Sequence, residues 1–226
     1  MLDASMRAWL DAPLRRAAAV LDRHWVTPNR ISVAGLVVGL GSAVAAGWQA
    51  WGLALGLWVL SRVCDGLDGP LARRRSARSV WPYPERGHAQ HEAGGFVDIT
   101  ADFVVYGATV IGVALGVTAP VGVGGYEASW LPFALVLLAY YVNGTAFLAF
   151  SSVAERTGHR LDDGRSFSFL GGLAEGTETI AVHSLWLLLP FWAEQIAWVW
   201  AVVVGLSAAH RMVSGYRILS APPPSG

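Results

Sequence analysis

The chain has 226 residues, of which 54% are hydrophobic and only 14% are charged, and its formal net charge is zero. Soluble domains usually contain about a quarter charged residues, so the composition argues against a soluble domain. Long uncharged stretches exceed the roughly 20 apolar residues that one membrane-spanning helix needs. The single cysteine, Cys64, excludes an internal disulfide. We therefore predict an all-α, polytopic membrane protein.

Residues 1–26 are predicted to form an amphipathic helix that precedes the membrane domain. Leu14, Ala17, Ala18 and Leu21 recur at helical spacing and so share one face of this helix. Such a pattern is typical of a helix that lies in the cytoplasmic headgroup layer. A soluble helix packed on the cytosolic loops is the alternative interpretation.

Six spanning helices are predicted within a membrane domain that covers residues 27–217. Between the second and third spans, residues 74–93 are expected to form an enlarged cytosolic loop. The proline-containing residues 218–226 are expected to form a disordered tail. The predicted spans cover residues 29–48, 51–73, 94–116, 131–154, 169–190 and 193–212.

Arginine supplies the whole positive charge of the side chains, since the sequence contains no lysine. Arginines lie in the N-terminal segment, in the 74–93 loop, after the fourth span and near the C-terminus, whereas the other connections have none. The positive-inside rule therefore places both termini and the arginine-containing loops in the cytoplasm. A bacterial inner membrane is the expected location.

Four aspartates interrupt the second and third predicted spans. Asp65 and Asp68 are three residues apart and Asp98 and Asp102 are four apart, so each pair projects from one face of its helix. A carboxylate in hydrocarbon is costly and persists only when it is paired, hydrated or bound to a cation. Two such faces turned toward each other supply an all-oxygen site suited to Mg²⁺ or Mn²⁺. The cytoplasmic halves of the helices contain this predicted site.

The aspartates are part of a longer pattern, and that pattern resembles the motif of the CDP-alcohol phosphotransferase family, also called CDP-alcohol phosphatidyltransferases. Thr27-Pro28-Asn29 also looks like the family's signature before the first span, although these residues suit a helix start as well. The 74–93 spacer is longer than the family's usual spacer. The residues that match the motif in identity and order are Asp65, Asp68, Gly69, Ala72, Arg73, Gly94, Asp98 and Asp102.

The resemblance implies an integral membrane enzyme that transfers a phosphoryl-linked group from a CDP-activated donor to an alcohol and releases CMP. It implies that Asp65, Asp68, Asp98 and Asp102 hold two Mg²⁺ or Mn²⁺ ions, and that Asp102 also takes the proton from the acceptor hydroxyl. Helix packing is the alternative role of Gly69. The nucleotide-binding residues implied by the motif are Asn29, Asp65, Gly69, Ala72, Arg73 and Gly94.

The expected donor is CDP-diacylglycerol, which keeps its acyl chains in membrane lipid, and the expected acceptor is a small polar alcohol. A second possibility is a soluble CDP-choline or CDP-ethanolamine type of donor with diacylglycerol as acceptor. A metal- or proton-coupled transporter is a third, since aspartate pairs in spans can mark an ion path. We expect a homodimer, as is common among relatives, and no nucleic-acid partner.

A second polar cluster lies at the start of the fifth predicted span and contains Glu175, Thr177 and Glu178. Relatives with phosphorylated acceptors tend to place lysine in this region. Two acids and no lysine favour a neutral polyol or an amine-bearing alcohol as acceptor. Ion pairs of the two glutamates with Arg160, Arg165 or Arg211 are the alternative interpretation.

Overall fold

Helices make up nearly all of the chain that the computed structural model describes, which is residues 2–23, 26–78, 84–119, 126–158 and 176–221. A short 3-10 helix, Pro190–Trp192, precedes the last helix. The α-helices are α1 (Leu2–Leu21), α2 (Pro28–Gly47), α3 (Trp51–Arg78), α4 (Pro84–Val117), α5 (Leu131–Thr157), α6 (Gly176–Leu188) and α7 (Ala193–Leu219). The prediction of an all-α protein is confirmed.

Helix ends differ from the predicted spans mainly at the charged side of the bundle. Helix α3 continues to Arg78 and α4 begins at Pro84, so both ends of the predicted 74–93 loop are helical instead. The arginine- and alanine-rich sequence after Arg73 consists of good helix formers, which explains the extension. Helix α7 likewise continues to Leu219. Residues 79–83, 169–175 and 222–226 lie outside the described residues.

Four helical segments are long and apolar enough to cross a membrane by length and composition. They are Pro28–Gly47, Ala93–Val117, Leu131–Thr157 and Pro190–Leu219. Helix α3 does not qualify because Arg62, Asp65, Asp68 and the arginines near its end lower its mean hydropathy. The described part of α6 has only 13 residues. The count of six spans therefore stays a prediction.

Local sequence signals account for several helix ends. Thr27 caps α2, since its hydroxyl accepts a 3.3 Å hydrogen bond from the Arg30 amide, and Pro28 occupies the first turn, where its missing N–H costs nothing. Gly158 ends α5 with a φ of 75°, the left-handed conformation that glycine adopts without strain. The turn between α2 and α3 contains Gln49, whose side chain donates a 2.9 Å hydrogen bond to the Gly116 carbonyl of α4. Local sequence thus sets the start of α2 and the end of α5, and Gln49 connects the turn between α2 and α3 to α4.

Small residues let α2 pack closely against α3 and α4. A β-carbon on Gly112 would clash with the carbonyl oxygen of Ala43, and one on Gly116 would clash with that of Ala46. Close backbone approach of this kind is common between membrane helices. Elsewhere α5 packs along α7, and α6 contacts α3 and α7. The largest fully buried side chains are Trp58, Trp186, Phe133, Leu71 and His183.

Helix α1 packs on α3 and α6. Leu14 lies over Gly66, 3.5 Å from the position that a β-carbon there would occupy. Beyond the helix, Asp22 accepts a 3.1 Å hydrogen bond from Arg74 and another of 3.1 Å from Arg75. The amphipathic face predicted for residues 1–26 thus rests on helices next to the acidic motif, and its depth relative to a headgroup layer stays a prediction.

Candidate active site

The acidic site lies where α2, α3 and α4 meet. Gly39 of α2 allows this meeting, because a β-carbon there would lie 2.7 Å from Val105 and 2.8 Å from the Ser61 hydroxyl. Ser61 in turn donates a 2.7 Å hydrogen bond to the Gly35 carbonyl. The aspartates of α3 and α4 are therefore presented from a closely packed, hydrogen-bonded helix contact.

Three of the four predicted aspartates share one site. Asp65 of α3 and Asp102 of α4 both lie beside Nη1 of Arg62, at 3.8 and 2.6 Å. A small cavity beside them is lined by Ser32, Arg62, Asp65 and Asp98, among others. The structure thus brings acidic side chains of α3 and α4 to one place, and their roles stay predictions.

Asp68 lies one turn further along α3 and is only 8% exposed. Its Oδ2 accepts a hydrogen bond of 2.5 Å from the hydroxyl of Ser32 on α2. A short bond from a hydroxyl to a carboxylate is among the stronger hydrogen bonds in proteins. Ser32 therefore fixes the orientation of Asp68. Its role is not evident from the sequence, where it is one serine in an apolar span.

Arg62 is a charged residue of the candidate site that sequence analysis missed. Its side chain is 8% exposed, and Nη1 lies 2.6 Å from Asp102 Oδ1 and 3.8 Å from Asp65 Oδ2. The available signal was a charged residue inside an apolar stretch, three residues before Asp65, on the same helix face. A buried cation of this kind needs paired anions, and the acidic site supplies them.

Two aromatic rings contact the Arg62 guanidinium. Its central carbon lies 5.1 Å from the ring centroids of Trp58 and Tyr106. Trp58 is itself fixed by a 3.1 Å hydrogen bond to the Ser184 hydroxyl and by the His183 ring at 4.9 Å. This aromatic clamp, Trp58 and Tyr106, connects the acidic site to the buried aromatic centre of the bundle.

The residues predicted to bind nucleotide lie at the charged end of the same three helices. Asn29 of α2 is exposed, and its Oδ1 lies 4.0 Å from the position of a β-carbon on Gly94 of α4. Arg73 is also exposed, and its Nη1 lies 3.3 Å from the β-carbon position of Gly69. Ala72 is half-buried beside Arg73. Arg73 thus lies against Gly69, and Asn29 lies near Gly94.

The predicted acceptor residues are described only in part. Glu175 lies outside the described residues, whereas Thr177 and Glu178 lie in the first turn of α6. The Glu178 side chain is half-buried, and its Oε2 has no hydrogen-bond partner within the part of the chain that the structure describes.

The donor atoms of the site fit a hard divalent cation. Carboxylate oxygens are the ligands that Mg²⁺ and Mn²⁺ prefer, and Asp65, Asp98 and Asp102 lie around one cavity and one guanidinium. In the described ranges, however, no set of three His, Cys, Asp or Glu side chains has the geometry of a ready metal site. The Arg62 guanidinium lies beside Asp102, at 2.6 Å.

A fold of apolar helices around paired aspartates, with an amide and an arginine at its charged edge, defines a membrane protein with a site for a charged ligand. The family model described as CDP-alcohol phosphatidyltransferase matches residues 25–208. The chain belongs to this family, which implies CDP-alcohol phosphotransferase activity. The matched range includes all eight motif residues, from Asp65 to Asp102.

The chain is also similar to inner membrane protein YnjF of Escherichia coli (strain K12). The two are 33% identical over 225 residues, which are 97% of each chain. Together with the four apolar helices that are long enough to span a bilayer, this similarity identifies an integral inner membrane protein.

Proposed function

We propose that the protein transfers a phosphatidyl group from CDP-diacylglycerol to the hydroxyl of a small polar alcohol and releases CMP. The observation that supports this proposal most strongly is the position of Asp65, Asp98 and Asp102 around one small cavity and the Arg62 guanidinium, at the junction of α3 and α4. Many apolar side chains on the helices face outward, including Val37, Leu60 and Leu115. Such a surface suits a donor whose acyl chains remain in the bilayer.

The reaction needs a base, an electrophilic phosphorus and a leaving group. In the proposed step, the acceptor hydroxyl attacks the phosphorus that carries the diacylglycerol, and the bond from this phosphorus to the CMP oxygen breaks. Asp102 takes the proton of the hydroxyl as general base. Asn29 and Arg73 hold the nucleotide at the charged end of the helices, and the small side chains of Gly69 and Gly94 leave space for it.

Asp65, Asp68, Asp98 and Asp102 would hold the divalent cations, proposed to be two Mg²⁺ or Mn²⁺ ions. When bound, such ions neutralise the diphosphate and stabilise the attacking and leaving oxygens. Ser32 would keep Asp68 oriented toward its ion, since hydrogen bonds to ligating carboxylates tune affinity.

Family membership favours an enzyme over the transporter considered from the sequence.

We further propose six spans, with α3 and α6 completing the bundle, and with both termini and the active site on the cytoplasmic side. A homodimer is proposed from the likeness to the family. The acceptor is proposed to be a neutral polyol or an amine-bearing alcohol, because Glu178 offers a carboxylate at α6.

The test uses the full-length protein in lipid nanodiscs with Mn²⁺. One arm supplies CDP-diacylglycerol with a panel of alcohols, and the other supplies CDP-choline or CDP-ethanolamine with diacylglycerol. We expect CMP and a new phospholipid, identified by mass spectrometry, in the first arm only. Chelation should abolish the product and added Mn²⁺ should restore it. Product in the second arm alone, or CMP in neither arm, would contradict the proposal.

A further inference from the structure

Arg62 is a cation inside a site that is otherwise built to bind cations. Its guanidinium bonds to Asp102 at 2.6 Å and approaches Asp65 at 3.8 Å. Four carboxylates close together repel one another, and a guanidinium among them reduces this repulsion. In the absence of divalent ions, Arg62 therefore acts as their substitute.

The surroundings of Arg62 hold it in place independently of the carboxylates. Its Nη2 donates a 3.1 Å hydrogen bond to Ser61, and its Nη1 donates one of 3.3 Å to the Tyr106 hydroxyl. The clamp of Trp58 and Tyr106 adds two cation–π contacts at 5.1 Å. Cation–π contacts strengthen when the cation is desolvated. A divalent ion that reaches Asp102 thus meets a positive charge that does not readily leave.

The positive charge of Arg62 affects the four aspartates unequally. Asp102 and Asp65 face the guanidinium, whereas Asp68 bonds to the neutral hydroxyl of Ser32. Like charges in a partly buried site repel much more strongly than in water. An ion held through Asp102 is therefore weakened by Arg62, while an ion held through Asp68 is affected less.

We propose that Arg62 is a positioning residue that serves as a built-in counter-cation: it orients Asp102 and lowers the affinity of the divalent ion bound there. This inference rests on the proposed function, since it concerns the same metal site. It implies that the two ions bind with different affinities. It also implies that the weaker ion is retained mainly when the negatively charged diphosphate of the donor is present.

The experiment is a Mn²⁺ titration of the full-length protein in nanodiscs without nucleotide, followed by electron paramagnetic resonance of free Mn²⁺. In the wild type we expect one tighter and one weaker ion. Arg62→Gln should tighten the weaker ion by about tenfold or more, the size of effect that one neighbouring charge produces. A tightening cannot result from misfolding, which only weakens binding.

Two variants serve as controls. Arg62→Lys keeps the positive charge but loses the planar guanidinium that contacts Trp58 and Tyr106, and it should tighten the weaker ion less than Arg62→Gln does. Arg217→Gln removes an exposed arginine of α7 and should leave both affinities unchanged.

The outcomes separate this inference from the proposed function. Unchanged or weaker Mn²⁺ binding in Arg62→Gln would overturn the role of Arg62 and leave the enzyme proposal intact. A lysine variant as tight as the glutamine variant would also overturn it, because charge would then not be the cause. Absence of Mn²⁺ binding in the wild type would instead contradict the proposed function itself.

Discussion

The hydroxyl of Ser32 on α2 donates a 2.5 Å hydrogen bond to Asp68 on α3 and so ties the first helix of the bundle to the acidic motif. Partners of this kind around a metal ligand typically contribute about 10- to 100-fold in metal affinity or activity. Ser32→Ala should therefore weaken Mn²⁺ binding about tenfold in the titration described above. Ser214→Ala, which removes a hydroxyl of α7 outside the site, is the matched control and should behave like the wild type. Equal affinities in both variants would mean that Ser32 does not orient Asp68.

Asp102→Asn tests the proposed base. The amide keeps the size of the side chain but cannot accept the proton, so turnover should fall by at least about 100-fold, the usual contribution of a general base. Binding of CDP-diacylglycerol should change little, measured as donor affinity by equilibrium dialysis with labelled lipid nucleotide.

The matched control for this variant is Glu194→Gln, in the first turn of α7. It removes one carboxylate far along the chain from the motif and should retain turnover. Normal turnover in Asp102→Asn would remove Asp102 from the role of base.

Gly112→Ala tests the close packing of α2 against α4. The added methyl group would clash with the Ala43 carbonyl oxygen, and overpacking typically costs about 1–3 kcal/mol. We expect a lower unfolding temperature in detergent. Gly56→Ala is the control, since nothing lies within 4 Å of its β-carbon position and alanine is the better helix former by about 1 kcal/mol. An unchanged unfolding temperature in Gly112→Ala would show that α2 and α4 can move apart freely.

Glu178→Gln tests the acceptor assignment. A carboxylate near an ammonium group in a partly buried site contributes on the order of 1 kcal/mol or more, which is close to tenfold in selectivity. We therefore expect the ratio of kcat/KM for an amine-bearing alcohol over a neutral polyol to change by about tenfold. The KM for the donor should change less than about twofold.

Glu127→Gln, at an exposed residue before α5, is the control for that measurement. An equal loss for every acceptor in Glu178→Gln would assign Glu178 a structural role instead.

The membrane class and the acidic site could be predicted from sequence because both depend on short-range patterns. Apolar stretches of sufficient length define spans, and spacings of three and four residues place Asp65 with Asp68 and Asp98 with Asp102 on single faces. The motif also predicts the family, whose model matches residues 25–208. These features need no knowledge of which helices touch.

Tertiary partners explain what the sequence did not reveal. Arg62 and Ser32 reach the aspartates only because α2, α3 and α4 meet at Gly35 and Gly39. A single polar residue in an apolar span does not predict which residue of another helix it will contact. The helical residues at the start of the predicted 74–93 loop also have a tertiary partner. Arg74 and Arg75 are held by Asp22, a contact between residues about 50 positions apart.

That contact has a practical consequence for handling the protein. Asp22 holds the end of α3, and Leu14 covers Gly66 between two motif aspartates. The N-terminal segment, α1 and Asp22, therefore supports the helix that contains Asp65 and Asp68, and it is not a dispensable extension. A truncated protein that begins at the first apolar span would lose this support. An affinity tag is better fused after α7, where it leaves the contacts of Leu14 and Asp22 undisturbed.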